Sequence, residues 1–373
     1  MKHYSILLIF FLVEYSAAFS QTTARDWMDK GIELAEKENY KEAREALDKA
    51  IEVDPKIPKF YLERGKIRNQ QEDFYGAIGD LNIAVELDSN YAEAYNERGL
   101  SKFYLADDEY AIVDFSRAIE KKNDYAEAYS NRGFALFNLE DLENAYFDFS
   151  KAIELDPNDA DKYYNRGVIR AELEEFIGAL DDYNKSISLD ASDPEVFNYR
   201  GVARYNLGDF AGAITDLNQA ISMDSTDAIK YDNRAMIKSA LEDYQGAVSD
   251  YDKSVALFDE DPDVYNLRGV AKYNLEDYEG AIQDYDLAIE LDPEEPLFYD
   301  NRGLAKSEIE DYNGAIEDYT VSIELFPNDP EPYYYRGMAK INLGNNYDGC
   351  LDLNRASQLG SSSAGKAIKE YCK

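Results

Sequence analysis

An arginine recurs every 34 residues along this chain, at positions 64, 98, 132, 166, 200, 234, 268, 302 and 336. Each stands directly before a glycine or an alanine, and each is followed sixteen residues later by an aspartate, from Asp80 to Asp352. Such a row of guanidinium groups can bind anions, or it can hold carboxylates of its own chain, because the planar fork fits one carboxylate with two hydrogen bonds. Comparison within the chain favours internal pairing. Where the N-terminal counterpart of the arginine is Lys30, the counterpart of the aspartate is Ala46, so both partners are missing together. Arg200 with Asp216, Arg268 with Asp284 and Arg302 with Asp318 are therefore expected as structural ion pairs, within one repeat or between adjoining ones. A second basic residue follows one helical turn after most of these arginines (Arg68, Lys102, Arg170, Arg204, Lys238, Lys272, Lys306, Lys340) and shares their helix face.

Little else in the chain has catalytic chemistry. Its one histidine is His3, and "MKHYSILLIFFLVEYSAAFSQTT" reads as a secretory signal peptide with a basic start, a short apolar run and cleavage after Ser20. Cleavage would remove the only imidazole available for a general base, a triad or a zinc site. No cofactor, metal or enzymatic activity is expected. The acidic turns "LDPND" and "FDEDPD" lack the spacing of a calcium loop and read as helix caps and turns. Cys350 and Cys372 are the only cysteines, and in an exported chain they suggest a disulfide.

The elements that position these residues follow from the period. Ten units of 34 residues run without insertion, beginning at Ala24, Pro58, Ala92, Ala126, Ala160, Pro194, Ala228, Pro262, Pro296 and Pro330, the last ending at Ser363. They follow the signal peptide (1–20) and precede a capping helix over 364–373. Each unit carries two helical patterns. Within a unit, position 4 is always aromatic, position 8 is Gly or Ala, position 20 is Ala or Gly, and position 27 is Ala or Ser. Small residues on both helices let the backbones approach, and the large residue at position 24 fills the space beside that contact. Position 16 is Asp, Glu or Asn throughout and suits the N-cap of the second helix. Six units carry glycine at position 19, which close approach of a neighbouring unit would explain. The fold class is all-α, an α-solenoid in which neighbours complete one another's core.

This pattern, completed by an aromatic or leucine at position 24 and an occasional proline at position 32 (Pro55, Pro157, Pro293, Pro327), resembles the tetratricopeptide repeat family over residues 24–363. The resemblance implies a right-handed superhelix whose first helices line a concave groove for peptides or proteins, with positions 2, 5, 9, 12 and 13 facing it. Position 13 here is Asn138, Asn206, Asn274 and Asn342, recurring every 68 residues, with Phe137, Tyr205 and Tyr273 beside the first three and Val202, Met236 and Val270 among position 9. These are the groove-binding candidates. An Asn–Tyr surface suits the amides of an extended peptide, or the hydroxyls of a glycan or small polar ligand; the plain alternative is that duplication copied neutral residues.

Charge narrows the partner. There are 76 Asp+Glu against 39 Lys+Arg, a formal net charge of −37, which disfavours nucleic acid and anionic membranes and favours a basic partner. No segment beyond the signal peptide approaches the length of a membrane span. The expectation is a non-catalytic exported scaffold, periplasmic or extracellular, that binds a protein or peptide.

Overall fold

The computed structural model describes residues 24–372, and every regular element among them is an α-helix. The chain divides into two compact bodies, one up to Asp190 and the other from Ala191. The first holds α1 (24–36), α2 (Tyr40–Val53), α3 (Pro58–Gln70), α4 (Phe74–Leu87), α5 (Ala92–Phe103), α6 (Asp108–Lys121), α7 (Ala126–Asn138), α8 (Leu142–Leu155), α9 (Ala160–Glu172) and α10 (Phe176–Leu189). The second holds α11 (Pro194–Asn206), α12 (Phe210–Met223), α13 (Ala228–Ala240), α14 (Tyr244–Leu257), α15 (Pro262–Asn274) and α16 (Tyr278–Leu291). It continues through α17 (Pro296–Glu308), α18 (Tyr312–Leu325), α19 (Pro330–Asn342), α20 (Asn346–Leu359) and α21 (Ala364–Tyr371). Odd and even helices pair as hairpins, and within each body successive hairpins stack. The signal-peptide segment and Lys373 lie outside the described residues.

Each hairpin closes on a contact between a small residue and the large side chain at position 24. A Cβ added to Gly99 would lie 2.6 Å from the Phe115 ring, and one added to Gly303 would lie 2.8 Å from Tyr319. The ring therefore lies against bare glycine backbone, and the tyrosines at this position (Tyr183, Tyr251, Tyr285, Tyr319) are almost fully buried. The link between helices holds a left-handed residue, φ near +60° at Glu38, Glu72, Ala106, Glu140, Glu174, Glu242, Glu276 and Glu310, with Gly208 and Gly344 in the same place of their repeats. The next residue caps the second helix: Asp73, Asp141, Asp209, Asp243, Asp277, Asp311 and Asn345 accept from its first turn, while Asn39, Asp107 and Glu175 make no such bond.

That cap corrects the expectation for the glycine at position 19. A Cβ on Gly76 would lie 2.3 Å from the Asp73 carboxylate, and Gly212, Gly246, Gly280 and Gly314 face their own caps in the same way. The space is taken by the helix's own N-cap, not by a neighbouring repeat. At Gly178, whose Glu175 does not cap, the Arg170 side chain fills it. The acidic turns also act as caps: Asp159, Asp193, Asp227, Asp261, Glu295 and Asp329 accept from the first turn of odd-numbered helices.

The arginine ladder joins repeats. Arg302 gives Nε and Nη2 to Asp318 (3.1 and 2.6 Å) and Nη1 to Asp286 of the preceding repeat (2.6 Å). Arg268 does the same with Asp284 (3.0 and 2.7 Å) and Asp252 (2.8 Å). Arg200 holds Asp216 at 2.9 and 2.6 Å. The acceptor in the preceding repeat varies: Asn82 for Arg98, Ser116 for Arg132, Thr320 for Arg336. The second basic residue reaches the same aspartate, as Arg204 does at Asp216 (2.7 Å) and Lys306 at Asp318 (2.9 Å). The guanidinium also stacks over the aromatic at position 4 of its own helix, 5.3 Å for Arg268 over Tyr265 and 5.6 Å for Arg302 over Tyr299. The expected pairing with the repeat's own aspartate is thus present, whereas the adjoining repeat supplies not its equivalent aspartate but the residue two positions further on, Asp286 for Arg302.

One rung is incomplete. Position 11 of the fourth repeat is Leu136, so Asp148 is held by Arg132 alone (2.7 and 2.8 Å) while being 1% exposed. Burial pushes the Asp148 carboxyl above its ordinary range despite Arg132. Further ties cross between repeats. Tyr61, Tyr163, Tyr299 and Tyr333 donate their hydroxyls to the carbonyls of Pro55, Pro157, Pro293 and Pro327, the prolines that close the four repeats retaining one there. Asn131, Asn233 and Asn301 donate to Asn96, Asn198 and Asn266 of the preceding repeat. Lys230 is wholly buried between Glu195 (2.5 Å), Asp227 (2.5 Å) and Asp224 (3.4 Å), which satisfies an ammonium that would otherwise be costly there. At the C-terminal end, Ala367 of α21 packs with Ile341 and Leu353 to close the last core cluster.

Candidate groove site

The groove candidates at positions 9, 12 and 13 sit on odd-numbered helices, but their side chains are less available than their pattern suggests. Asn206 and Asn274 are exposed, yet each folds its amide back onto its own helix, donating to the Val202 carbonyl (3.0 Å) and the Val270 carbonyl (2.8 Å). Asn138 turns toward the Asp108 carboxylate at 3.3 Å, and Asn342 is exposed. Tyr205 and Tyr273 lie edge-on against Phe210 and Tyr278 at the start of the partner helix, with centroids 5.7 and 5.3 Å apart. Phe137, Tyr205, Val270 and Tyr273 pack partly onto the core clusters, and Val202 and Met236 are half-buried. The Tyr273 hydroxyl donates to Glu308 (3.2 Å). These residues cover hairpin cores more than they offer free donors.

A concavity is formed in the first body, largely by the same unit positions in earlier repeats. A cavity of about 620 Å³ opens across α3, α5 and the start of α7, within the size range of ligand pockets. Lys66, Asn69 and Gln70 of α3 and Glu93, Glu97 and Leu100 of α5 line it. Glu72, Phe74, Tyr104, Tyr125 and Glu127 complete the lining. Helical periodicity explains why residues so far apart converge. Positions 2, 6, 9 and 13 lie along one side of a first helix, and stacking brings that side of three consecutive repeats together.

The polar groups are held in place. Lys66 is paired with Glu93. Asn69 donates to the Glu97 backbone oxygen (3.2 Å) and to its carboxylate (3.3 Å), and the Ser101 hydroxyl donates to the Asn69 oxygen at 2.7 Å. Burial, with Glu127 and Glu93 adding, pushes Glu97 up to about 6 against the pull of Lys66 and Asn69. Phe74 and Tyr104 of the lining stack on each other, with ring centroids 5.2 Å apart and 17° between planes. Smaller depressions continue on both sides. One shares Lys66 and Gln70 and reaches Ile32 of α1; the other shares Leu100 and Tyr104 and reaches Phe134 of α7.

Most of the lining stands at the expected groove positions 2, 9, 12 and 13; Glu97, at position 6, went unnoticed in the sequence, although a signal was present. Position 6 is acidic only in the first three repeats (Asp29, Glu63, Glu97) and is Asn, Tyr or Leu afterwards. Among the described residues no group of three His, Cys, Asp or Glu side chains is placed to hold a metal ion. The Cys350 and Cys372 sulfurs lie at bonding distance, 1.97 Å, joining α20 to the residue after α21. No described helix is long and apolar enough to cross a membrane.

Family profiles described as tetratricopeptide repeat match residues 126–159 and 262–295, and a second profile of the same description matches residues 28–92. A solved tetratricopeptide repeat protein from Parabacteroides merdae aligns at 18% identity over 67% of this chain and 99% of its own, with a TM-score of 0.50. The pilF protein of Pseudomonas aeruginosa aligns at 21% identity over 57% of this chain and 97% of its own, with a TM-score of 0.51. At such identity these two structures speak to the fold alone. No curated protein sequence matches the chain.

Proposed function

The chain belongs to the tetratricopeptide repeat family, a fold of protein-binding helical repeats, and from that premise we propose an exported, non-catalytic scaffold that binds a protein or peptide along its first-helix face. The observation that carries this reading is the cavity across α3, α5 and α7 with its extensions toward α1 and α7. It is a furrow built from three successive repeats rather than a closed pocket around one reactive group. A glycan reading rested on free Asn amides, and the amides of Asn206 and Asn274 are engaged by their own helices.

Export is supported by the signal-peptide pattern before Gln21 and by the Cys350–Cys372 pair, which suits a disulfide-forming compartment. N-terminal sequencing of the protein from its native source should begin at Gln21, and thiol titration of unreduced protein should find no free cysteine. Binding is tested by capture with the mature chain, its Leu100→Lys and Phe134→Lys variants, and the Asn206→Lys/Asn274→Lys variant. Loss of the captured partner on the first two changes supports the furrow, and loss on the third alone moves the site to the second body. Capture unchanged by all of them removes the first-helix face from consideration.

A further inference from the structure

We infer that the cavity between α3, α5 and α7 receives a cationic side chain, arginine above lysine, from an extended segment of the bound polypeptide. The inference rests on the proposed first-helix binding surface and adds what that surface selects. Four carboxylates line the cavity (Glu72, Glu93, Glu97, Glu127) against one ammonium, and that ammonium, Lys66, is already engaged by Glu93. Glu97 is half-buried with an amide as its hydrogen-bond partner, and burial already pushes its carboxyl up, so an arriving cation would meet an undercompensated charge.

The walls select the kind of cation. The stacked Phe74 and Tyr104 rings and the half-buried Tyr125 give the lining flat apolar faces. A guanidinium lies against such faces and still directs its fork at a carboxylate, whereas an ammonium is a compact, strongly hydrated charge. A bare metal ion would gain nothing from the rings, and no three acidic groups among the described residues are placed to ligate one. The volume exceeds one side chain, and the flanking depressions leave room for residues on either side of it. On the α7 side the lining is Leu100, Phe103 and Phe134, which favours an apolar neighbour.

The test uses the mature chain at about 150 mM salt, where long-range attraction to a very acidic protein is largely screened. Fluorescence anisotropy would compare a labelled Gly-Leu-Ala-Arg-Ala-Leu-Gly peptide with the same peptide carrying citrulline, which keeps the shape and loses the charge. The arginine peptide should bind at least about tenfold tighter, a difference of ~1.4 kcal/mol. Glu97→Gln with Glu127→Gln should bring the two peptides within about twofold of each other, with thermal melting as the fold control. Glu86→Gln with Glu143→Gln, exposed on even-numbered helices, should leave the difference intact. Equal binding of the two peptides, no binding of either, or equal loss in both double variants overturns the inference. A random peptide library displayed against the chain separates this from the wider reading. Enriched peptides without Lys or Arg whose binding is lost in Leu100→Lys would keep the binding surface and overturn the cation pocket; no groove-dependent peptide at all would overturn both.

Discussion

At the residue scale, the fourth repeat is an internal control for the arginine ladder. Asp216 is held by Arg200 and by Arg204, whereas Asp148 has only Arg132 because Leu136 stands where the second cation would be. Arg132→Ala leaves a buried carboxylate with no cation and should cost about 4 kcal/mol, while Arg200→Ala should cost about half as much. Urea unfolding of the two variants checks this, and equal losses would mean that the second cation contributes nothing to holding the aspartate. Asp300 offers a pH test. Burial, with Asp329, Asp318 and Glu295 adding, pushes its carboxyl up to about 7 although the Ser322 hydroxyl acts to lower it. Between about 4, where an unfolded aspartate titrates, and about 7, the folded state keeps a proton that the unfolded state has lost. Stability from this group is therefore full below that window and is lost as pH rises through it. Asp300→Asn should flatten the slope and stabilise the protein above pH ~7 by about 1–2 kcal/mol, the shift being discounted for partial solvent screening. An unaltered slope in chemical unfolding across that window would place the titration elsewhere.

At the element scale, the hairpin turn is where local cost and local gain meet. A non-glycine residue at φ near +60° is strained, and the turn is kept because the N–H of the next residue closes it onto the first helix, as Asp243 does onto the Lys238 carbonyl (2.9 Å) and the uncapping Glu175 onto that of Arg170 (2.7 Å). Glu242→Gly should therefore stabilise by about 1 kcal/mol, and Gly208→Ala, at φ +79°, should destabilise by a similar amount. Thermal melts of the two variants moving in the same direction would contradict the strain account. The hairpin itself was legible in the sequence, because the small residues of its two helices (Gly303 and Ala315 in the ninth repeat) and the large one beside them (Tyr319) recur at fixed spacing, each with one packing role. The link between Arg302 and Asp318 was legible for a different reason: Lys30 and Ala46 lose both partners together. The acceptor on the other side was missed. Asp286, Asn82, Ser116 and Thr320 have different charges and shapes and share only an oxygen that can accept. The engagement of the groove amides was not legible for a related cause. Whether the Asn206 amide serves a ligand or its own Val202 carbonyl depends on a side-chain torsion that spacing does not encode.

At the scale of the molecule, the 34-residue period passes through Asp190 without a break, so the division into two bodies left no mark on the repeat pattern. The cavity was hidden in a similar way, since Lys66, Glu97 and Glu127 come from three repeats at three different positions and meet only through stacking. Stacking of this kind makes stability local: a terminal repeat has one neighbour instead of two and opens first. The C-terminal end carries its own fastening there. The Cys350–Cys372 pair closes a loop of 22 residues around α20 and α21, while Ala367 packs onto Ile341 and Leu353. A crosslink of that span contributes about 3 kcal/mol by chain entropy, and in a stack of near-independent units the gain stays at the end that it closes. Cys350→Ser with Cys372→Ser should therefore speed hydrogen exchange in α20 and α21 by about a hundredfold. Exchange in α3 to α8, which lie in the other body, should stay as it was. A uniform increase along the chain would mean instead that the repeats unfold as one cooperative block, and the nearest-neighbour account would fail with it.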